Sequence, residues 1–343
     1  MSVFAVSGRL WSRQGVGRWL VMGLVLLVGC GGGYGGRPAP QGANPPPGAR
    51  TASRAGTRVS TLEFLYSFEN DSSAPYFPVN GIAGCCYGPG GTLMFCDQKR
   101  GKVHALDPML QTWYEFDTPL ARPYTPLDVK VDGFKVLVLD PGGGKIYRFD
   151  LNGTLLDVLL DLDQVDPGFP IRATAFDVDQ DGRMIITDQS RQQVLLLDSF
   201  LNLTMRLGDQ GSLRDQFQDP MGLVFRVDGS FLVSDQGNRR LDLYGRLGFF
   251  EGSYGGVFEV DNPFVAPAGL DRDRFGNVFV ADPGNGRIHV LDPDLELRLD
   301  AGSEFSLQGA PLTPVDVAVG PGDLLAVTDV ARVAVLVYRI VYQ

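Results

Sequence analysis

Histidine is almost missing from this chain: 343 residues contain two, His104 and His289. A zinc centre takes three or four well-placed ligands, so a histidine-based metal site is excluded. Long apolar runs are missing too. The best, Trp19–Val28, is about ten residues long, whereas a helix needs roughly 20 to cross a bilayer's hydrocarbon core. No stretch repeats apolar residues at i, i+3, i+4 and i+7, which excludes a bundle of long amphipathic helices. Acidic residues are absent from positions 1–58, which carry seven arginines. That leaves 23 bases against all 40 acids in residues 59–343, a formal charge of about −17. A body so acidic repels phosphate backbones, and no nucleic-acid partner is expected.

What is abundant points to turns. The chain has 44 glycines and 23 prolines, with 44% hydrophobic residues to fill a core. At the start, Arg9, Arg13 and Arg18 precede the apolar run, which ends in Gly29-Cys30. Positive residues followed by about ten apolar ones are the grammar of a secretory signal. Leu27-Val28-Gly29-Cys30 resembles the lipobox of bacterial lipoproteins. The resemblance implies cleavage of residues 1–29 and lipidation of Cys30, with an address in the cell envelope. Residues 30–58 open Cys-Gly-Gly-Gly-Tyr-Gly-Gly and include Pro45-Pro46-Pro47, so they read as a disordered tether. Gly31, where an Asp favours inner-membrane retention, points to the outer membrane in a Gram-negative source.

Residues 59–343 repeat. An apolar strand ending in aspartate recurs at Asp97, Asp140, Asp188, Asp235, Asp282 and Asp329, spaced 43, 48, 47, 47 and 47 residues apart. Each copy orders an apolar segment, a Gly turn, the strand ending in Asp, a polar turn and a further strand. Such a meander cannot bury both faces alone, and radial stacking covers them. Phe217-Gln-Asp-Pro220-Met-Gly-Leu, followed by Val233-Ser-Asp235-Gln-Gly-Asn-Arg-Arg-Leu, resembles the NHL repeat family. Blade two is short before Asp140, and blade six has Val-Ala-Arg where that family expects Asn-Arg. The fold expected is all-β: a six-bladed propeller of four-stranded antiparallel blades. Only three strands follow residue 310, so Leu62–Phe68 is expected beside residues 332–340, completing the last blade and removing an exposed edge.

The six repeat aspartates stand at strand ends, where Asp accepts from turn N–H groups, a structural role. Lys102, Lys145, Arg240 and Arg287, five residues further on, are read as neutralising nearby acids. His104 and His289 each lie seven residues after their aspartate, in third strands of different blades and away from the channel. Cys85, Cys86 and Cys96 are expected as buried free thiols, with a disulfide as the alternative. The innermost strands place Gly84, Asp128, Ala175, Gly222, Gly269 and Asp316 toward the channel. Four are small, which would keep it open, and Asp128 and Asp316 are the candidate ligand-binding residues. Propeller hydrolases and lactonases bind Ca²⁺ there through oxygen ligands, though six to eight are needed.

Two functions remain open. One is a monomeric binding scaffold, tied to the membrane by its lipid alone. It would contact an envelope protein, peptide or glycan through rim loops such as Leu207–Asp219 and Phe249–Ala266. The other is a channel-centred, cation-dependent hydrolase, lactonase or lyase. A dense polar channel would favour the enzyme, and an apolar or narrow one the scaffold.

Overall fold

The computed structural model describes residues 4–5, 57–69, 79–107, 112–120, 124–302 and 311–343. Of the expected leader and tether, only 4–5 and 57–58 fall within these, and Cys30 lies outside them.

The chain is a six-bladed β-propeller. Blade one runs outward through Ile82–Tyr87, Leu93–Asp97, Lys102–Asp107 and Thr112–Glu115. Blades two to five follow the same meander, from inner strands Asp128–Asp132, Phe176–Val178, Pro220–Phe225 and Leu270–Arg272. In blade six, Pro314–Gly320, Leu324–Asp329 and Ala334–Tyr342 take their fourth strand from the other end of the chain. Val59–Glu69 lies antiparallel to Ala334–Tyr342, with Val59 opposite Tyr342 and Glu69 opposite Ala334, which is the expected closure. Phe4–Ala5 also pairs with Thr112–Trp113 on the outer edge of blade one, a contact that a cleaved leader would not keep.

The second strands show why the repeat reads as it does. All five residues of Met184–Asp188, Phe231–Asp235 and Val278–Asp282 are buried, because blades cover them on both sides. Alternate residues serve different cores. Met94 and Cys96 pack with Val136 and Val138 of blade two, whereas Leu93 and Phe95 pack toward Ala326 and Val337 of blade six.

Each repeat aspartate is buried and accepts from at least one backbone N–H of the connection entering its blade. Asp97 accepts from the N–H groups of Asn80 and Gly81 at 2.9 and 2.8 Å, and Asp282 from those of Val265 and Ala266 at 2.8 and 2.9 Å. These donors lie 16 or 17 residues earlier, so the aspartate ties the connection entering a blade to that blade's second strand. The basic residues pair as expected: Lys102 with Glu115, Lys145 with Asp161, Arg240 with Asp235 and Asp242, and Arg287 with Asp300. Cys85, Cys86 and Cys96 are buried free thiols, and burial pushes all three above the ordinary thiol range.

Candidate functional site

Side chains two apart on a strand share a face. On the inner strands this builds two layers around the channel. The first holds Gly84, Asp128, Ala175, Gly222, Gly269 and Asp316. The second, two residues further along, holds Cys86, Lys130, Asp177, Val224, Asp271 and Ala318. Asp128 and Asp316 are therefore joined by three charged residues that sequence reasoning missed. The alternation rule would have found Asp177 and Asp271, eleven residues before Asp188 and Asp282. The same rule, applied from Asp128, reaches Lys130.

The carboxylates are staples between blades. Asp128 of blade two accepts from the N–H of Phe176 in blade three at 3.1 Å. Asp177 accepts from Phe225 in blade four at 2.7 Å, and Asp271 from Val319 in blade six at 2.7 Å. Asp316 accepts from Cys85 in blade one at 2.8 Å, so one staple spans the closure of the ring. The glycines beside them do something other than keep the channel open. A Cβ on Gly269 would stand 2.0 Å from Asp316 Oδ1, and one on Gly84 2.7 Å from the Leu127 carbonyl. Glycine is needed here because neighbouring inner strands meet backbone to backbone, as in the 2.8 Å bond from Gly84 N to Leu127 O.

Lys130 supplies the cluster's positive charge. Its Nζ lies 3.8 Å from Asp128 Oδ1. Burial works against its charge, yet the fields of Asp128, Asp316, Asp177 and Asp271 hold it protonated well above the ordinary lysine range. Burial pushes Asp177 up to about 6 and Asp316 up to about 7, even with Lys130 pulling both down. Asp128 and Asp271 are raised by the same burial.

The donors do not fit a metal. Among the described residues no three His, Cys, Asp or Glu groups are placed to hold an ion, and an ammonium already stands among the carboxylates. The histidines are elsewhere, as expected. His104 is buried in its third strand with its ring nitrogens 3.6 and 3.7 Å from Asp97 and Glu115. His289 repeats this against Asp282 and Asp300 at 3.4 and 3.3 Å. Glu115 and Asp300 stand directly opposite the histidines on the outer strands, a register that depends on the intervening turn.

The two ends of the channel differ. On the rim of the connections between blades, a 230 Å³ mouth is lined by Ile82, Leu127, Met221, Val315 and Val330, with Asp128, Lys130 and Asp316 deeper in. At the opposite rim a polar basin of 450 Å³ opens over Asp177 and Asp271. The expected rim loop Phe249–Ala266 is split by this geometry. Its residues Phe250–Gly255 form the outer strand of blade four, so Phe249 sits on the opposite rim from residues 256–266.

Fold and channel together define a six-bladed β-propeller whose pore is ionisable at its centre and apolar at one mouth. No family model matches the chain. Over 113 residues, 33% of its length, it is 24% identical to the human E3 ubiquitin-protein ligase NHLRC1, which supports an NHL-type propeller; the match spans 27% of that protein. Among solved structures it is similar to a gluconolactonase from Xanthomonas campestris, with a TM-score of 0.63, 17% identity, and coverage of 83% of this chain and 91% of that one. It is also similar to virginiamycin B lyase from Staphylococcus aureus, with a TM-score of 0.54, 13% identity, and coverage of 78% and 82%. At such identities the likeness establishes the fold.

Proposed function

We propose that the chain is a lipid-anchored, extracytoplasmic binding propeller that holds a protein or peptide on the rim formed by the connections between blades. The observation that carries this reading is an apolar mouth on a rim whose connections also bare large apolar side chains. Leu120, Leu213, Phe258 and Val260 stand 98, 69, 89 and 98% exposed on the connections from blade one to two, three to four and four to five. Apolar groups gathered round a concave centre mark a docking surface. The acidic body favours a partner with basic as well as apolar residues.

The rival reading, a channel-centred hydrolase or lyase, draws support from the names of the similar structures and from the channel carboxylates. By the measure of a dense polar channel it gains from the five charged residues at the pore centre. It is ranked second because Asp128 and Asp316, the acids behind the apolar mouth, accept from neighbouring backbone and stand in the field of Lys130.

The test is a photo-crosslinking amino acid placed singly at Leu213, Phe258 or Phe134 in the full chain on intact cells. Adducts to one partner are expected from the first two positions and not from Phe134, which lies on the other rim. Adducts from Phe134 alone would overturn the choice of rim, and none from any position would overturn the scaffold reading. Anchoring has its own outcome: Cys30→Ser should move the protein from the membrane to the soluble fraction. Retention of that variant in membranes would sink the lipid anchor.

A further inference from the structure

The basin on the opposite rim is built from blades three, four and five. Its 450 Å³ lies within the range of small-molecule pockets, roughly 300–1,000 Å³. At its edge two pairs of opposite charges are closed: Arg246 with Asp181 and Arg183 with Asp179, both at 2.6 Å. The other four charged side chains that line it are different. Among the described residues, Asp177, Asp271, Arg226 and Arg272 form no ion pair within 4.0 Å.

Backbone groups hold each of the four in place without cancelling its charge. Asp177 and Asp271 accept from Phe225 and Val319. Arg226 Nη2 donates to the Pro293 carbonyl at 2.5 Å, and Arg272 Nε to the Phe225 carbonyl at 2.6 Å. Lys130 pulls on both aspartates, but its ion pair is with Asp128. Partly buried charges are costly unless something of opposite sign meets them. Two anions and two cations, fixed in one basin and unpaired, are complementary to a ligand bearing both signs.

We infer that this basin binds a small zwitterion of the α-amino-acid class. Its carboxylate meets the guanidiniums of Arg226 and Arg272, in the forked geometry that arginine favours. Its ammonium meets Asp177 and Asp271. Val178, Val224 and Val227 leave room for a modest apolar side chain. A neutral sugar would cancel none of the four charges. A phosphate would face two carboxylates, and a divalent cation two guanidiniums. The site lies on the rim away from the proposed partner surface, so the two proposals stand or fall separately.

The experiment is calorimetric titration of the full chain with L-valine, beside L-valinol, which lacks the carboxylate, isovalerate, which lacks the ammonium, and glucose. L-Valine is expected to bind and both half-charged relatives to bind about tenfold more weakly or worse, the scale of one lost charge-assisted contact. Arg226→Gln and Asp177→Asn should each weaken L-valine by a similar factor, while Phe258→Ala leaves it unchanged. Among the described residues the Arg226 side chain bonds only the Pro293 carbonyl, so R226Q decides the matter if D177N fails to fold. No heat from L-valine, glycine or L-glutamine at about 10 mM would overturn the inference, at an affinity too weak to matter. So would equal binding of glucose, or undiminished L-valine binding by folded R226Q.

Discussion

Removal of residues 59–69 is expected to abolish the cooperative melt of the propeller. This strand pairs with Ala334–Tyr342 along its length. Val59 and Leu62 are fully inside the core shared with blade five, and Phe64 packs edge-on against Tyr338 at 5.6 Å. Leu65, Tyr66 and Phe68 add a second apolar face toward the core shared with blade one. Burying one large apolar side chain is worth about 1.5–3 kcal/mol. Two full and several partial burials therefore amount to about 5–10 kcal/mol, comparable to the net stability of a whole domain, about 5–15 kcal/mol. The truncation would also leave Ala334–Tyr342 as a long apolar edge, a template for aggregation. Circular dichroism on heating would show it, and a permuted chain carrying residues 57–69 after Gln343 through a short Gly/Ser linker should recover the transition. That permutation is geometrically easy, since Gln343 N bonds the Arg58 carbonyl at 2.8 Å. A truncated protein that melted within a few degrees of the full chain would show that the ring does not depend on this closure.

The closure is legible in the amino-acid sequence because it is a matter of counting. Six aspartates at one spacing define six blades, three strands after residue 310 leave one short, and one unassigned apolar run stands in front. The channel is only half legible. Asp128 and Asp316 stand out because they interrupt a row of small residues, whereas Asp177, Asp271 and Lys130 lie one pleat further along, where the polar turn begins. Their role is less visible still. That a channel carboxylate accepts from the next blade's backbone depends on contacts across about 48 residues, which no local pattern encodes. Gly84 and Gly269 mislead for a related reason. Small residues on an inner strand suggest an open pore, but here they mark where two backbones touch. The segment Phe249–Ala266 reads as one rim loop because the outer strand of blade four, with its Phe250-Glu-Gly-Ser-Tyr pattern, is apolar on one face only and passes for a loop.

Lys130 is the residue on which the largest single-site effect is expected. Replacing it as Lys130→Met leaves Asp128 and Asp316 without their counter-cation and removes the largest positive field on Asp177 and Asp271, of which Asp271 keeps only the weaker one of Arg272. Breaking a buried charge arrangement by removing one partner costs about 3–5 kcal/mol, or a fall in Tm of roughly 6–10 °C in a domain of this size. The loss should depend on pH. Burial raises the folded-state pKa of all four aspartates above their unfolded value, with Asp177 near 6 and Asp316 near 7. Between the unfolded value and those folded values the native protein holds more protons than the unfolded chain, so these groups make stability rise as pH falls from about 8 toward 5. Buried Asp235 and Asp242, at about 6 and 7, act in the same direction. Asp97, Asp188 and Asp282 act oppositely but later. Burial raises them, their hydrogen bonds outweigh it, and the stability they add is lost only below the ordinary carboxylate range. In K130M, protons must do what the ammonium did, so its stability should climb more steeply between pH 8 and 5 than that of the native protein. The gap between the two should narrow at the acid end. Adding Asp316→Asn keeps an acceptor for Cys85 N–H while deleting one charge, and the double variant should regain part of the loss at pH 8. Chemical denaturation of the three proteins at pH 8 and 5 would measure all of this. Equal stability and equal pH slopes for K130M and the native chain would mean that the four carboxylates do not share the lysine's charge.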